Sequence, residues 1–345
     1  MKVIELFAGV GSQTQALKNL GIKHEVIGIS EIDKYAINSY EQLHGTVNNF
    51  GDISKIDILP TADLWTYSFP CQDISVSGKQ RGFDKEDNTR SGLLWEVERL
   101  LKASEKPKYL LMENVKNLIS KKFKPGFDKW CECLEEMGYT NYYQVLNAKD
   151  FGVPQNRERV FMVSILGEHK PYLFPQKQET NIKFKDIAKS KLEVPEHILK
   201  SFYNKKGVFK ERFKTNKLDY SMCLTTKGAW SSITNNFYTD DYKKYTIKDI
   251  VDNNIKCYVL TPKECWRLMG WKDEQFEKIQ GISNTQLYKQ AGNGIVVIVL
   301  EAIFKNLFQE QENKCENCEK YNNFLCGKNG NYILPTMEIV MNCNR

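Results

Sequence analysis

Apolar and polar positions follow two rhythms along the first 165 residues. Short apolar runs of strand length alternate with stretches whose apolar residues recur every three or four positions, the helical period. "KVIELFA" (2–8), "HEVIGISEID" (24–33), "ADLWTYSF" (62–69), "PKYLLMEN" (107–114), "YYQVLNA" (142–148) and "RVFMVSIL" (159–166) predict strands. "SQTQALKNLG" (12–21), "KYAINSYEQLHG" (34–45), "SGLLWEVERLLKA" (91–103) and "FDKWCECLEEMGY" (127–139) predict the helices between them. Alternation of this kind predicts an α/β domain with a mainly parallel sheet.

Beyond residue 170 the rhythm weakens. Lys and Asn dominate to about residue 257, and only short strands such as "SMCLTT" (221–226) suggest themselves, as in a small loop-rich second domain. "TPKECWRLMGW" (261–271) carries Pro at a first helical position and Gly as a stop, so it predicts a helix. "GIVVIVLEAIFKNLF" (294–308) predicts a buried helix packed back on the sheet, followed by a polar spacer and a Cys-bearing tail. The expected division is a catalytic domain of 1–168 plus 288–310, a smaller domain of 169–287, and a tail of 311–345.

Charge sharpens this picture. Net charge is +6, but residues 170–257 hold 18 Lys/Arg against 10 Asp/Glu, leaving the remainder slightly acidic. A basic insert with interspersed Trp230, Phe237, Tyr238, Tyr242 and Tyr245 suits a polyanion, although a solvated Lys-rich face would look similar. No secretory leader pattern and no run approaching 18 uninterrupted apolar residues is visible, so a cytoplasmic protein without a membrane span is expected. The ten cysteines are dispersed, which in a reducing compartment favours free thiols, metal ligands or a nucleophile over a disulfide framework.

Two stretches carry candidate chemistry. In "VIELFAGVGS" a strand runs into Gly9 and Gly11, where a backbone without Cβ atoms can turn and approach a ligand. Glu31, 22 residues after Gly9, is placed to accept hydrogen bonds from ribose hydroxyls, and Asp52 with Ile53 is placed for an adenine ring. A nicotinamide-binding turn or an ordinary strand–helix turn would look much the same, although "GVGSQT" lacks the third glycine of the dinucleotide fingerprint.

In "SFPCQDISVSGKQRGF" (68–83), Cys71 follows a proline at a strand end. The thiolate is the reactive form of cysteine, and an ordinary thiol is mostly protonated at neutral pH. None of the four histidines (24, 44, 169, 197) falls in a motif, which disfavours a Cys–His hydrolase, and no second cysteine sits within three residues to make a redox pair. Thiolate attack at C6 of a pyrimidine fits better. Glu113, leaving the apolar strand "LLMENV", can serve N3 and the exocyclic amine, with burial expected to favour its protonated form. Arg157 and Arg159 in "QNRERV" lie on one side of an extended segment, where a guanidinium can meet the ring oxygen and steady Glu113. Taken singly, each of these residues also reads as an ordinary buried or ion-paired side chain.

In combination they resemble the cytosine-C5 DNA methyltransferases. The matching blocks are "FAGVGS" (7–12), "SEID" (30–33), "GDI" (51–53), "SFPCQDISVSGKQRGF", "MENV" (112–115), "QNRERV" (155–160), "LTPKECWRLMGW" (260–271) and "QAGNGIVV" (290–297), in the family's order and reaching to about residue 308. Ser12 stands where many members have another glycine, and Ile32 where some carry tryptophan against the adenine.

The resemblance implies a Rossmann-like methyltransferase domain with a smaller target-recognition domain, and S-adenosylmethionine as cofactor. Phe7, Gly9, Gly11, Glu31, Ile32, Asp52, Ile53, Pro70, Asn293 and Val296 would line its pocket. It further implies Cys71 as nucleophile with Glu113, Arg157 and Arg159 around the ring, acting on a cytosine rotated out of duplex DNA. Ser77 and Arg81, in a loop that should close over the base, and Lys227, Trp230, Ser231 and Asn235 are the DNA-contact candidates. A monomer paired with a restriction endonuclease, or a phage or orphan enzyme, fits the family. Two alternatives stay open: the RNA-directed branch acting on a tRNA cytosine, and an inactive DNA-binding homologue. Cys315, Cys318, Cys326 and Cys343 include one pair with zinc-ligand spacing, but the other spacings are irregular and no metal site is assigned.

Overall fold

The sheet at the centre of the computed structural model has the strand order β2-β1-β3-β4-β7-β5. Residues 1–75, 82–83, 89–178, 180–201, 219–227, 236–242 and 245–309 are described. The strands are β1 (Lys2–Leu6), β2 (Glu25–Ser30), β3 (Leu64–Tyr67), β4 (Tyr109–Val115), β5 (Tyr139–Asn147), the short β6 (Gln155–Asn156) and β7 (Glu158–Leu166). The helices among them are α1 (Ser12–Asn19), α2 (Lys34–His44), α3 (Leu94–Ala103) and α4 (Lys124–Glu136).

Strands β2, β1, β3 and β4 run parallel, whereas β7 pairs antiparallel with both β4 and β5. The departure from a fully parallel sheet has a simple cause. No α-helix separates β5 from β7, only a single 3-10 turn at Ala148–Asp150, so the chain doubles back and β7 inserts between β4 and β5.

Alternate strand residues feed opposite faces. Val3, Leu64 and Leu111 pack with Ala16 and Leu17 of α1, while Ile4, Trp65 and Leu110 pack with Leu100 of α3 and Trp130 of α4. Both faces are therefore covered, as strands apolar on every residue require. The connections leave β1 towards β2 on one side and place β3 on the other. That opens a crevice at the carboxyl ends of β1 and β3, where open α/β sheets bind ligands.

Further along lie α5 (Phe184–Ile187), β8 (Leu192–Glu193), α6 (Glu196–Ser201), β9 (Ser221–Met222), β10 (Tyr238–Thr239), α7 (Ile247–Asp252) and β11 (Cys257–Val259). Strands β10, β11 and β8 form a small antiparallel sheet beside buried Phe184, and β9 pairs with β6. Next come α8 (Pro262–Arg267), α9 (Asp273–Phe276), α10 (Asn284–Asn293) and α11 (Val297–Phe308). At α8, Thr261 and Glu264 form a capping box, and buried Glu264 also accepts the N–H groups of Lys189 and Ser190.

The stretch Asn284–Phe308 is apolar and long enough to span a bilayer by composition, but it breaks at Gly294 and more than half of its most apolar window is buried. Met1–Phe308 forms one compact unit. The tail expected at 311–345, with its four cysteines, lies outside the described residues, as do Ser77, Arg81, Trp230, Ser231 and Asn235.

Candidate active site

A cavity of about 350 Å³ occupies the crevice, and two chemically different walls meet across it. The first is mostly backbone. Directly after β1 the chain turns through Phe7 (φ 56°) and Gly9 (φ 58°). A left-handed Phe is uncommon and costs conformational energy, which marks this turn as held by its surroundings. A Cβ on Gly9 would meet nothing within 4 Å, so its Cα faces open space in the cavity.

Glu31, at the end of β2, is locked onto this turn. Its Oε2 accepts the Gly9 N–H at 2.9 Å, and its Oε1 accepts those of Ile32 and Asp33 at 2.8 Å each. Asp52 caps the turn Ile53–Lys55 through Ser54, whose hydrogen bonds hold the Asp52 carboxyl below the usual carboxylate range. Exposed Ile32 and buried Ile53 line the same wall.

Two expected residues lie elsewhere. A Cβ on Gly11 would strike His44 and Tyr40 at 2.6 Å, so this glycine lets α2 pack close, and it is absent from the cavity lining. Val296 is buried in the core behind the wall, and Ile295 takes its place on the lining.

The second wall is made of charged side chains. Cys71 sits on the turn after β3, and three side chains fix that turn's backbone. Asn114 Nδ2 donates to the Phe69 carbonyl at 3.0 Å, Ser91 Oγ to the Pro70 carbonyl at 2.6 Å, and Asn117 Nδ2 to the Ile74 carbonyl at 2.5 Å. Burial raises the Cys71 thiol above its ordinary value, Arg159 pulls it down, and Glu113 pushes it up. The net direction is upward, so the resting group is a thiol.

Glu113, on β4, is 5% exposed. Its Oε1 pairs with Arg159 Nε at 3.1 Å and its Oε2 accepts the Ser68 hydroxyl at 2.6 Å. The carboxyl group is thus pinned at both oxygens.

The two arginines expected together at the ring have different work. Arg159 holds Glu113. Arg157 is buried and gives its terminal nitrogens to the carbonyls of Leu224 (2.9 Å), Gly292 (2.9 Å) and Gly294 (2.8 Å). It lines the cavity, but it also ties the β6–β7 segment to two distant parts of the chain. Cys223, unnoticed in the sequence, lies against both guanidiniums, with Sγ 3.4 Å from Arg157 Nη1 and 3.8 Å from Arg159 Nη2. Burial alone would raise this second thiol, but the two cations outweigh burial and hold it below its ordinary value.

Gly292, Asn293, Gly294 and Ile295 close the cavity from the α10 end, joined by Lys289 and Gln290. Lys289 is fixed by an ion pair with Asp33 at 2.6 Å, and Gln290 Nε2 donates to the Tyr35 carbonyl at 2.9 Å. Lys227 is exposed. Among the described residues, no group of three or more His, Cys, Asp or Glu could hold a metal ion.

A Rossmann-like sheet with a glycine turn at its switch point defines the class: the fold is that of the methyltransferases. The methyltransferase EhMeth of Entamoeba histolytica superposes with a TM-score of 0.72 at 20% identity, covering 89% of this chain and 98% of that one. The Dnmt2 methyltransferase of S. pombe superposes at 0.70 and 21% identity, covering 88% and 97%. Sequence narrows the class further. The model of the C-5 cytosine-specific DNA methylases matches residues 1–309, and the chain belongs to that family. The type II methyltransferase M2.ScrFI of Lactococcus lactis subsp. cremoris is 38% identical, over 90% of this chain and all of that protein. The orphan methyltransferase M.SPBetaI of Bacillus phage SPbeta is 31% identical, over 91% and 99%. The chain is a DNA (cytosine-5) methyltransferase.

Proposed function

We propose that the enzyme moves a methyl group from S-adenosylmethionine to C5 of a cytosine rotated out of a short, specific duplex DNA sequence, through a covalent bond from Cys71 Sγ to C6. The observation that carries this reading is the convergence of Cys71, Glu113 and Arg159 on the cavity that also holds the Gly9–Glu31 turn and the Asp52–Ile53 turn.

The first wall fits an adenosine-bearing cofactor: a backbone without Cβ at Gly9, an aligned carboxylate at Glu31 and an apolar pair at Ile32 and Ile53. When bound, the cofactor supplies an electrophilic methyl group; the protein's task is to make C5 nucleophilic. Glu113 engages N3 and the exocyclic amine of the cytosine, and Arg159 holds Glu113 in place. Withdrawal of electrons at N3 makes C6 electrophilic, so Cys71 Sγ adds there as its S–H bond breaks and the proton passes to solvent water. C5 then carries the negative charge that takes the methyl group. Loss of the C5 proton and departure of Cys71 restore the aromatic ring.

Residues 169–287 serve as the target-recognition region, with Lys227 and its neighbours near the DNA. We further propose a cytoplasmic monomer working beside a restriction endonuclease or as an orphan enzyme. Transfer of tritiated methyl groups to unmethylated duplex DNA tests the central reading: incorporation into DNA is expected, and preference for tRNA would overturn it.

A further inference from the structure

Among the described residues, Asn114, Ser91, Asn117, Arg90 and Ser68 tie the Cys71 turn and its flank to neighbouring elements, but only Ser68 ends on a group placed to react. Asn114, Ser91 and Asn117 all bond main-chain carbonyls of the turn, which is further held by the Ile74 and Ser75 N–H groups on the Cys71 carbonyl. Ser68 differs. It lies at the end of β3, lines the cavity, and donates its hydroxyl to Glu113 Oε2 at 2.6 Å.

This bond constrains what Glu113 can present. A carboxylate oxygen has about two acceptor sites. One site on Oε1 is taken by Arg159 and one on Oε2 by Ser68, so the carboxyl plane cannot turn about its last torsion without breaking one of them. Each oxygen keeps a further site. The cytosine edge offers an acceptor at N3 beside a donor at the exocyclic amine, a pair that needs both carboxyl oxygens in one plane. Without Ser68 the ion pair alone would hold Oε1 and leave Oε2 free to swing.

We propose that Ser68 is a positioning residue for methyl transfer, setting the plane in which Glu113 meets the cytosine edge. This rests on the proposed role of Glu113. The test compares wild type with Ser68→Ala, and with the pair Ser68→Thr and Ser68→Val, which differ from each other by the hydroxyl at nearly equal volume. Transfer of labelled methyl groups to unmethylated genomic DNA is followed against cofactor concentration.

Loss of a hydrogen bond to a charged group corresponds to about a 10- to 100-fold drop in kcat for Ala and Val. KM for S-adenosylmethionine should stay within about twofold, because the cofactor wall is untouched. Thr should recover most of the rate. A fall in kcat at unchanged KM that the hydroxyl of Thr restores and the equal volume of Val does not is a pattern that a merely structural serine would not produce. The proposal is overturned if Val matches Thr, or if the loss appears as a raised KM for S-adenosylmethionine with kcat unchanged. Should Ala fold poorly, the Thr–Val comparison decides alone. An inactive wild type would instead refute the proposed function, so the two failures are distinguishable.

Discussion

The two walls of the cavity are built by opposite strategies. The turn wall is backbone: Phe7 to Gly9, with Glu31 and Asp52 folded onto main-chain N–H groups within the first 54 residues. The reacting wall is side chain: Cys71, Glu113, Arg157, Arg159 and Cys223, drawn from segments up to 152 positions apart and closed by the carbonyls of Gly292 and Gly294. The first wall should therefore be sensitive to what the backbone can adopt. The second should be sensitive to single functional groups. A buried cation holds such a wall together through its hydrogen bonds, and Arg157 meets three carbonyls with its terminal nitrogens while its buried Nε has no hydrogen-bond partner among the described residues.

The largest effect should come from the reacting wall. Cys71→Ser should abolish methyl transfer while leaving the thermal midpoint within a few degrees, measured by label incorporation and calorimetry. Transfer by this variant would break the contrast outright.

Next come the ties behind that wall. Arg157→Met should strand the carbonyls of Leu224, Gly292 and Gly294 and cost about 3 kcal/mol or more in chemical denaturation. Gly292→Ala tests the same junction from the other side, since a Cβ there would lie 2.0 Å from the Thr225 carbonyl oxygen. It should be comparably destabilising. Near-native stability in both would mean that the wall does not depend on these ties.

The turn wall has a pH signature. Buried Glu5, on β1, accepts the Thr14 N–H and hydroxyl at 2.8 Å each, and burial pushes its pKa up from 4.5 to about 7. In this window the folded state holds a proton that the unfolded chain has released, so stability falls as pH rises from about 4.5 to 7 and is level above that. The total is about 3 kcal/mol. Glu5→Gln, which is neutral at every pH, should flatten this dependence. An unchanged slope in denaturation curves across the window would contradict it.

The smallest stability effect should be Gly9→Ala. Its left-handed backbone costs about 1–2 kcal/mol, with no clash to add. The added methyl points into the cavity, so KM for the cofactor should rise with little change in kcat.

The same contrast explains what was legible in the sequence. Gly9 and Glu31 are legible because each follows a strand end within three residues, and local spacing is what a sequence displays; Asp52 is legible only through the short block "GDI". Cys71, Glu113 and Arg159 are legible only in combination, since each motif taken singly also reads as an ordinary buried or ion-paired side chain. The split between the two arginines was not legible, since Arg157 is assigned its partners by Leu224, 67 positions away, and by Gly292, 135 away. Gly11 looked like Gly9 in sequence, and only α2 packing tells them apart. Helix α10 was missed because "NTQLYKQAGN" buries a narrow stripe around Leu287, Tyr288 and Ala291 and ends in residues that disfavour helix. Cys223 gave no local signal, as its importance arises from two guanidiniums more than 60 positions away.

The most direct test places the two thiols of the reacting wall in competition. Duplex DNA carrying 5-fluorocytosine, incubated with the enzyme and S-adenosylmethionine, should yield a covalent complex that survives denaturation, because fluorine at C5 blocks the final elimination. Peptide mass spectrometry of that complex should find the base on Cys71, and Cys71→Ser should form none. A cross-link on Cys223, or one that persists in Cys71→Ser, would contradict the account.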